Sequence, residues 1–108
     1  MRETPLTDLA TVIRSKNAGP FELTLDIMFK AEKSYYFLKN SNFFTAELFA
    51  KLYGVGIEKI LKVIYFDPAL AVKCTLVRAL VSGSIGDSDV YGAQQHAPLL
   101  YLKVPVED

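Results

Sequence analysis

Two stretches of the chain concentrate residues able to bind or react. The first is Arg14-Ser15-Lys16-Asn17-Ala18-Gly19-Pro20, in which two cations, a hydroxyl and an amide precede a glycine. Such side chains, together with the backbone N–H groups of a tight turn, suit a carboxylate or phosphate, because an anion is held best by several converging donors. Asn, Gly and Pro are also the ordinary residues of a solvated hairpin turn, and no phosphate-loop spacing is present. Arg14, Lys16 and Asn17 are the candidate ligand-binding residues here. The second stretch is Gly86-Asp87-Ser88-Asp89-Val90-Tyr91-Gly92-Ala93-Gln94-Gln95-His96. Gln94 and Gln95 could read a small polar ligand or a neighbouring chain, or form the exposed face of a short helix. His96, the only histidine, is the best candidate for a general base, and a hydrogen-bonded structural histidine is the plainer alternative. Asp87, Asp89 and His96 would meet at a metal only if the loop folded back on that helix. Helix N-capping by Ser88 or Asp89 already explains one acid, so neither a metal nor a cofactor is expected.

Glu22, Asp26 and Asp67 complete the acid–base candidates, and nothing in their spacing places two together. Glu22 and Asp26 share the polar face of one strand with Thr24 and read as surface acids. Asp67 opens an Asp-Pro turn. Cys74 falls on the apolar side of its strand, away from any helix N-terminus or adjacent cation, and reads as a buried thiol rather than a nucleophile.

The elements that must position these groups follow from periodicity and punctuation. Phe21, Leu23, Leu25, Ile27 and Phe29 alternate with Glu22, Thr24, Asp26 and Met28, the period-two pattern of a strand with one buried face. Ala31 to Asn40 reads as a helix that stops at Asn40-Ser41-Asn42. Thr45 then caps a second helix, whose Leu48, Phe49, Leu52 and Tyr53 form one stripe and which ends at Gly54. Ile60 to Phe66 and Leu70 to Val81 read as a hairpin across Asp67-Pro68. Ser82 to Asp89 is loop chemistry, followed by a short helix running towards His96. Leu99 to Val104 alternates again as an edge strand, with Pro105 at its end. For Leu6 to Ser15 the spacing leaves helix and strand both open. With that segment set aside, the order is βαββαβ, an α+β ferredoxin-like sandwich with an antiparallel sheet and helices on one face. The other sheet face is then open, a natural partner surface.

Composition bounds the remaining possibilities. The 108 residues form a single domain spanning 1–108, with 51% apolar and 22% charged residues, and twelve Lys plus Arg balance twelve Asp plus Glu. Seven Phe and six Tyr in a low-charge chain exclude disorder. Zero net charge argues against a nucleic-acid partner, which needs clustered cations. One cysteine forbids an intrachain disulfide and fits a reducing compartment. The N-terminus lacks a secretory apolar core and no apolar run approaches the ~18 residues of a membrane span, so a cytoplasmic protein without membrane contact is expected. A small, neutral, apolar-rich domain is also expected to form a homo-oligomer or to bury surface against a partner.

Three runs carry a family resemblance: Ile-Arg-Ser-Lys-Asn-Ala-Gly-Pro-Phe-Glu-Leu-Thr-Leu-Asp at 13–26, Phe-Asp-Pro-Ala-Leu-Ala at 66–71, and Gly-Asp-Ser-Asp-Val-Tyr-Gly-Ala-Gln-Gln-His-Ala-Pro-Leu-Leu at 86–100. They resemble a small bacterial family of uncharacterised function, found alone or fused behind proteins similar to the acyclic terpene utilisation protein AtuA. The resemblance implies a companion subunit or interaction module working with a larger AtuA-like protein in acyl-CoA or carboxylic-acid catabolism. It also favours Leu9 to Ser15 as a strand that bends into Phe21 to Phe29. By analogy, the bend at Lys16 to Pro20 and the loop from Gly86 to His96 lie at one end of the sheet. The alternatives are a small lyase or hydratase, with Arg14 and Lys16 holding an acidic substrate and His96 as base, and a ligand-binding sensor. Whether the chain is an enzyme stays open at this point.

Overall fold

A computed structural model describes residues 2–19, 21–77 and 97–106. In chain order its elements are β1 (Arg2–Pro5), α1 (Leu6–Leu9), β2 (Ala10–Asn17), β3 (Glu22–Phe29), α2 (Glu32–Asn40), α3 (Ala46–Tyr53), β4 (Ile60–Phe66), β5 (Ala71–Val77), α4 (Ala97–Leu100) and β6 (Lys103–Val106). Short 3-10 turns at Ile57–Lys59 and Asp67–Ala69 precede and follow β4.

The open choice between helix and strand for Leu6 to Ser15 resolves into both. Leu6 is buried in the single turn of α1, and from Ala10 the β-branched Thr11, Val12 and Ile13 run extended. β2 pairs antiparallel with β3 from Ala10 opposite Phe29 to Asn17 opposite Leu23, with a bulge between Ala10 and Val12. Gly19 closes this hairpin at φ 125°, a conformation glycine adopts without a Cβ clash, and the Ala18 N–H donates to the Glu22 carbonyl at 3.0 Å.

Both expected helices form with their expected ends. α2 stops where Asn42 takes φ 53°, the left-handed region that asparagine tolerates. The Thr45 hydroxyl accepts the Leu48 N–H at 3.1 Å, and Gly54 ends α3 at φ 65°. The apolar sides of these helices, with Tyr35, Leu38 and Phe49, share one core with Leu23, Leu25 and Ile27 of β3 and Val72, Cys74 and Leu76 of β5.

The sheet order is β2-β3-β5-β4, antiparallel throughout. Strands β3 and β4 therefore run the same way with β5 between them, and α2 and α3 make the crossover. The fold is thus α+β with an antiparallel sheet, and β4 and β5 pair across the expected Asp67-Pro68 turn. The fourth place does not go to the C-terminal strand. β6 instead pairs with β1 in a separate two-stranded ribbon, Arg2 opposite Val106 to Pro5 opposite Lys103, and β2 fills the edge beside β3. A strand joined by a short turn closes at lower entropic cost than one returning from the far end of the chain. The last strand also starts later than its alternation suggests: Leu99 and Leu100 lie in α4, where Pro98 is tolerated in the first turn. The expected end of the β5 strand beyond Val77, the 82–89 loop and the short helix towards His96 lie outside the described residues.

Candidate functional site

Antiparallel register sets three rows of side chains across the sheet face opposite the helices. They are Val12, Met28, Ala71 and Phe66; Arg14, Asp26, Lys73 and Ile64; and Lys16, Thr24, Thr75 and Lys62. Neighbours within a row are about 5 Å apart and rows about 7 Å apart, so long side chains in adjacent rows can reach one ligand. With Glu22 on the same face of β3, this surface carries four cations against two acids.

The middle row holds the unexpected feature. Asp26 does lie on the polar face of β3, yet it is only 1% exposed, which corrects its reading as a surface acid. Alternation decides which face a residue occupies but not its depth. A short aspartate on an inner strand is set among the longer Arg14, Met28 and Lys73. Arg14 Nε donates to Asp26 Oδ2 at 3.0 Å, while Asp26 Oδ1 is buried without a hydrogen-bond partner. The Arg14 side chain is 52% exposed. Its guanidinium is therefore tied to the sheet through Nε while half of the side chain stays exposed. Lys73 sits opposite Asp26 in register, but its ammonium lies 5.7 Å from the centre of the Phe66 ring.

Of the residues singled out by sequence, Arg14 and Lys16 come together on this face as i and i+2 of one strand. They belong to the strand rather than to the turn. Asn17 projects to the other face, opposite Leu23, because side chains alternate along β2. Gln94, Gln95 and His96 lie outside the described residues, as do Asp87 and Asp89. Sequence reasoning missed Thr24, Lys62, Lys73 and Thr75 as neighbours of Arg14. The alternation within each strand was a usable signal, but their juxtaposition required the register.

The model of a known family matches residues 6–103. The chain belongs to the family described as Domain of unknown function (DUF4387). No curated protein and no solved structure shows a significant match. In this DUF4387 domain the match takes in the whole four-stranded sheet with its Arg14–Asp26 row. It leaves out β1 and all of β6 but Lys103.

A second polar network ties the helical layer of the DUF4387 domain to the β4–β5 turn. Asp67 accepts from Tyr35 Oη at 2.6 Å and from Lys39 Nζ at 2.8 Å on each of its oxygens. Those bonds, Lys39 first and Tyr35 second, hold the Asp67 carboxyl below its ordinary range. Burial, and then Asp67 itself, push the Tyr35 phenol up. Tyr65 Oη accepts the Phe44 N–H at 3.0 Å and donates to the Phe44 carbonyl at 3.3 Å, and burial raises its phenol as well. A carboxylate engaged by two donors on one oxygen and one on the other is a brace for the turn, not a poised base. Asp67 does open that turn, as its Asp-Pro sequence implies.

Cys74 is buried and its thiol is pushed up to about 12 by that burial, the state of an inert core cysteine. A half-open groove of about 240 Å³ runs between the ribbon and α2 of the DUF4387 domain, lined by Arg2, Lys33, Ser34, Phe37, Pro105 and Val106 among others. It shares no residue with the Arg14 row, and its lining brings together no acid–base pair. The buried charged group of the sheet, Asp26, lies in the Arg14 row and not in this groove. Among the described residues, no group of three or more His, Cys, Asp or Glu is arranged to hold a metal ion. No described helix is long and apolar enough to cross a membrane.

Proposed function

We propose that this chain is a binding companion of a larger protein rather than an autonomous enzyme, and that the outer face of its four-stranded sheet takes an anionic group, a carboxylate or a phosphate. The observation that carries this reading is Arg14, anchored through Nε by a buried carboxylate while half of its side chain is exposed. An arginine pre-oriented in this way loses little side-chain entropy when it grips a carboxylate or phosphate with two parallel bonds. Lys16, Lys62 and the Thr24 and Thr75 hydroxyls stand in the next row and add donors of the right kind. The larger AtuA-like protein and the setting of acyl-CoA or carboxylic-acid catabolism come from the family resemblance. They accord with an acidic group as the thing recognised.

The test is an NMR titration of the isotopically labelled chain with succinate and with inorganic phosphate. Amide shifts are expected to centre on Arg14, Lys16, Thr24, Lys62 and Thr75. Arg14→Lys, which keeps the charge but loses the fork, is expected to weaken binding about tenfold. Shifts centred elsewhere, or binding unchanged in Arg14→Lys, would overturn the assignment of the site. Companionship is tested by co-expression with an AtuA-like protein from the same genome: a stoichiometric complex lost in Arg14→Glu supports it, and separate elution refutes it.

A further inference from the structure

The order β2-β3-β5-β4 leaves two strands at the edges of the sheet, and the two are protected very differently. β2 carries Arg14 and Lys16 on its outer face and a bulge near its start, both devices that discourage another strand from pairing. β4 reads Ile-Leu-Lys-Val-Ile-Tyr-Phe, rich in strand-forming residues with Lys62 as its one charge. Among the described residues, eight large apolar side chains are exposed. Four of them, Ile57, Leu61, Ile64 and Phe66, lie in β4 or in the turn leading into it. Nothing described pairs with the outer side of β4, where about every second residue turns its N–H and C=O away from β5.

We propose that β4 is a dimerisation edge, at which two copies of this chain pair their β4 strands antiparallel about a two-fold axis to form one continuous eight-stranded sheet. The strand itself points to a second copy as the occupant. Antiparallel pairing across a two-fold axis is self-complementary, so one sequence supplies both halves of the contact. A chain of zero net charge meets no net repulsion from its copy. With the axis at Val63, Lys62 faces the partner's Ile64 and Leu61 faces the partner's Tyr65, so no like charges stand directly opposite one another. A foreign acidic strand would find only Lys62 to complement along the whole edge. The two-fold axis is perpendicular to the sheet, so both outer faces point to the same side. Their two Arg14 residues then stand on the far edge strands, about 33 Å apart at seven strand spacings. The dimer rests on the β4 edge and not on the anion-binding reading: Arg14 is three strands away from the contact, and Lys62 is the one proposed anion donor on β4.

The test is the mass of the full chain by light scattering or sedimentation equilibrium at micromolar concentration. The native chain is expected to have the mass of two chains. Ile64→Lys sets a cation against the partner's Lys62 and is expected to weaken the dimer about tenfold or more. Ile64→Glu, equally polar but of opposite sign, is expected to keep the dimer or tighten it. Circular dichroism confirms that each variant is folded, and Leu61→Lys provides a second disrupting variant at the other end of the strand. A native mass of one chain, or the same dissociation for Ile64→Lys and Ile64→Glu, would overturn the proposal.

Discussion

Asp26 and Asp67 are both aspartates paired with a cation, and both sit where β-structure meets a turn or a neighbouring strand, but their surroundings give them opposite roles. Asp67 stands at the rim with Lys39 and Tyr35 as donors and both oxygens engaged. Asp26 lies almost wholly out of water with one oxygen on Arg14 and the other without a partner. An exposed acid whose donors are complete is a structural clamp that water could largely replace. A buried acid with one cation and an unsatisfied oxygen carries a standing desolvation cost, and the fold keeps it only because Arg14 offsets part of that cost. On this molecule burial, rather than the number of contacts, sets the two carboxylates apart.

The largest difference between the two aspartates is expected on Arg14→Leu. It leaves the Asp26 carboxylate buried without its cation, and the expected loss is about 2–3 kcal/mol, below the fully buried case because the guanidinium is half in water. Urea denaturation followed by circular dichroism measures it, and a loss under about 1 kcal/mol would mean that Arg14 does not compensate the buried charge.

Tyr35→Phe probes the other network and is expected to cost about 1 kcal/mol, the ordinary value of one buried hydrogen bond. Its pH signature is more specific. A phenol raised by folding contributes stability that is fully present below the unfolded value near 10 and lost as pH rises through the folded value. Tyr35→Phe should therefore flatten the alkaline limb of the stability profile. The lowered Asp67 works with the opposite sign: its contribution is present above the ordinary carboxyl range and lost as pH falls through the folded value. An alkaline limb unchanged in Tyr35→Phe would remove this network from the account.

The smallest expected effect is that of Asp26→Asn, under about 1 kcal/mol. The substitution keeps the shape, removes the buried charge, and leaves Arg14 free to turn to water. The asymmetry between the two halves of one ion pair is the point to measure. Equal losses for Arg14→Leu and Asp26→Asn would show that direct attraction, rather than desolvation, dominates there.

Much of the local structure was legible beforehand. Leu23, Leu25, Ile27 and Phe29 announced a buried strand face, Thr45 and Gly54 bracketed α3, and Asp67-Pro68 marked the hairpin turn. Cys74 was recognisable as a core thiol from its place on the apolar side of β5. The sheet face around Arg14 was legible only in part. Composition singles out Arg14 and Lys16, but their spacing with Asn17 suggests a turn where the structure has a strand, and alternation alone reads Asp26 as a surface acid where the structure buries it.

These outcomes divide along a physical line. Periodicity, caps and turns depend on residues within a few positions of one another, so the sequence by itself determined the β3 strand, both long helices and their ends, and the pairing of β4 with β5 across a short turn. The neighbour of β3 at the sheet edge, the pairing of β6 with β1, and the burial of Asp26 beside Arg14 depend on residues distant along the chain. Those features emerge on packing, because register and depth are properties of the whole sheet and not of any one strand within it.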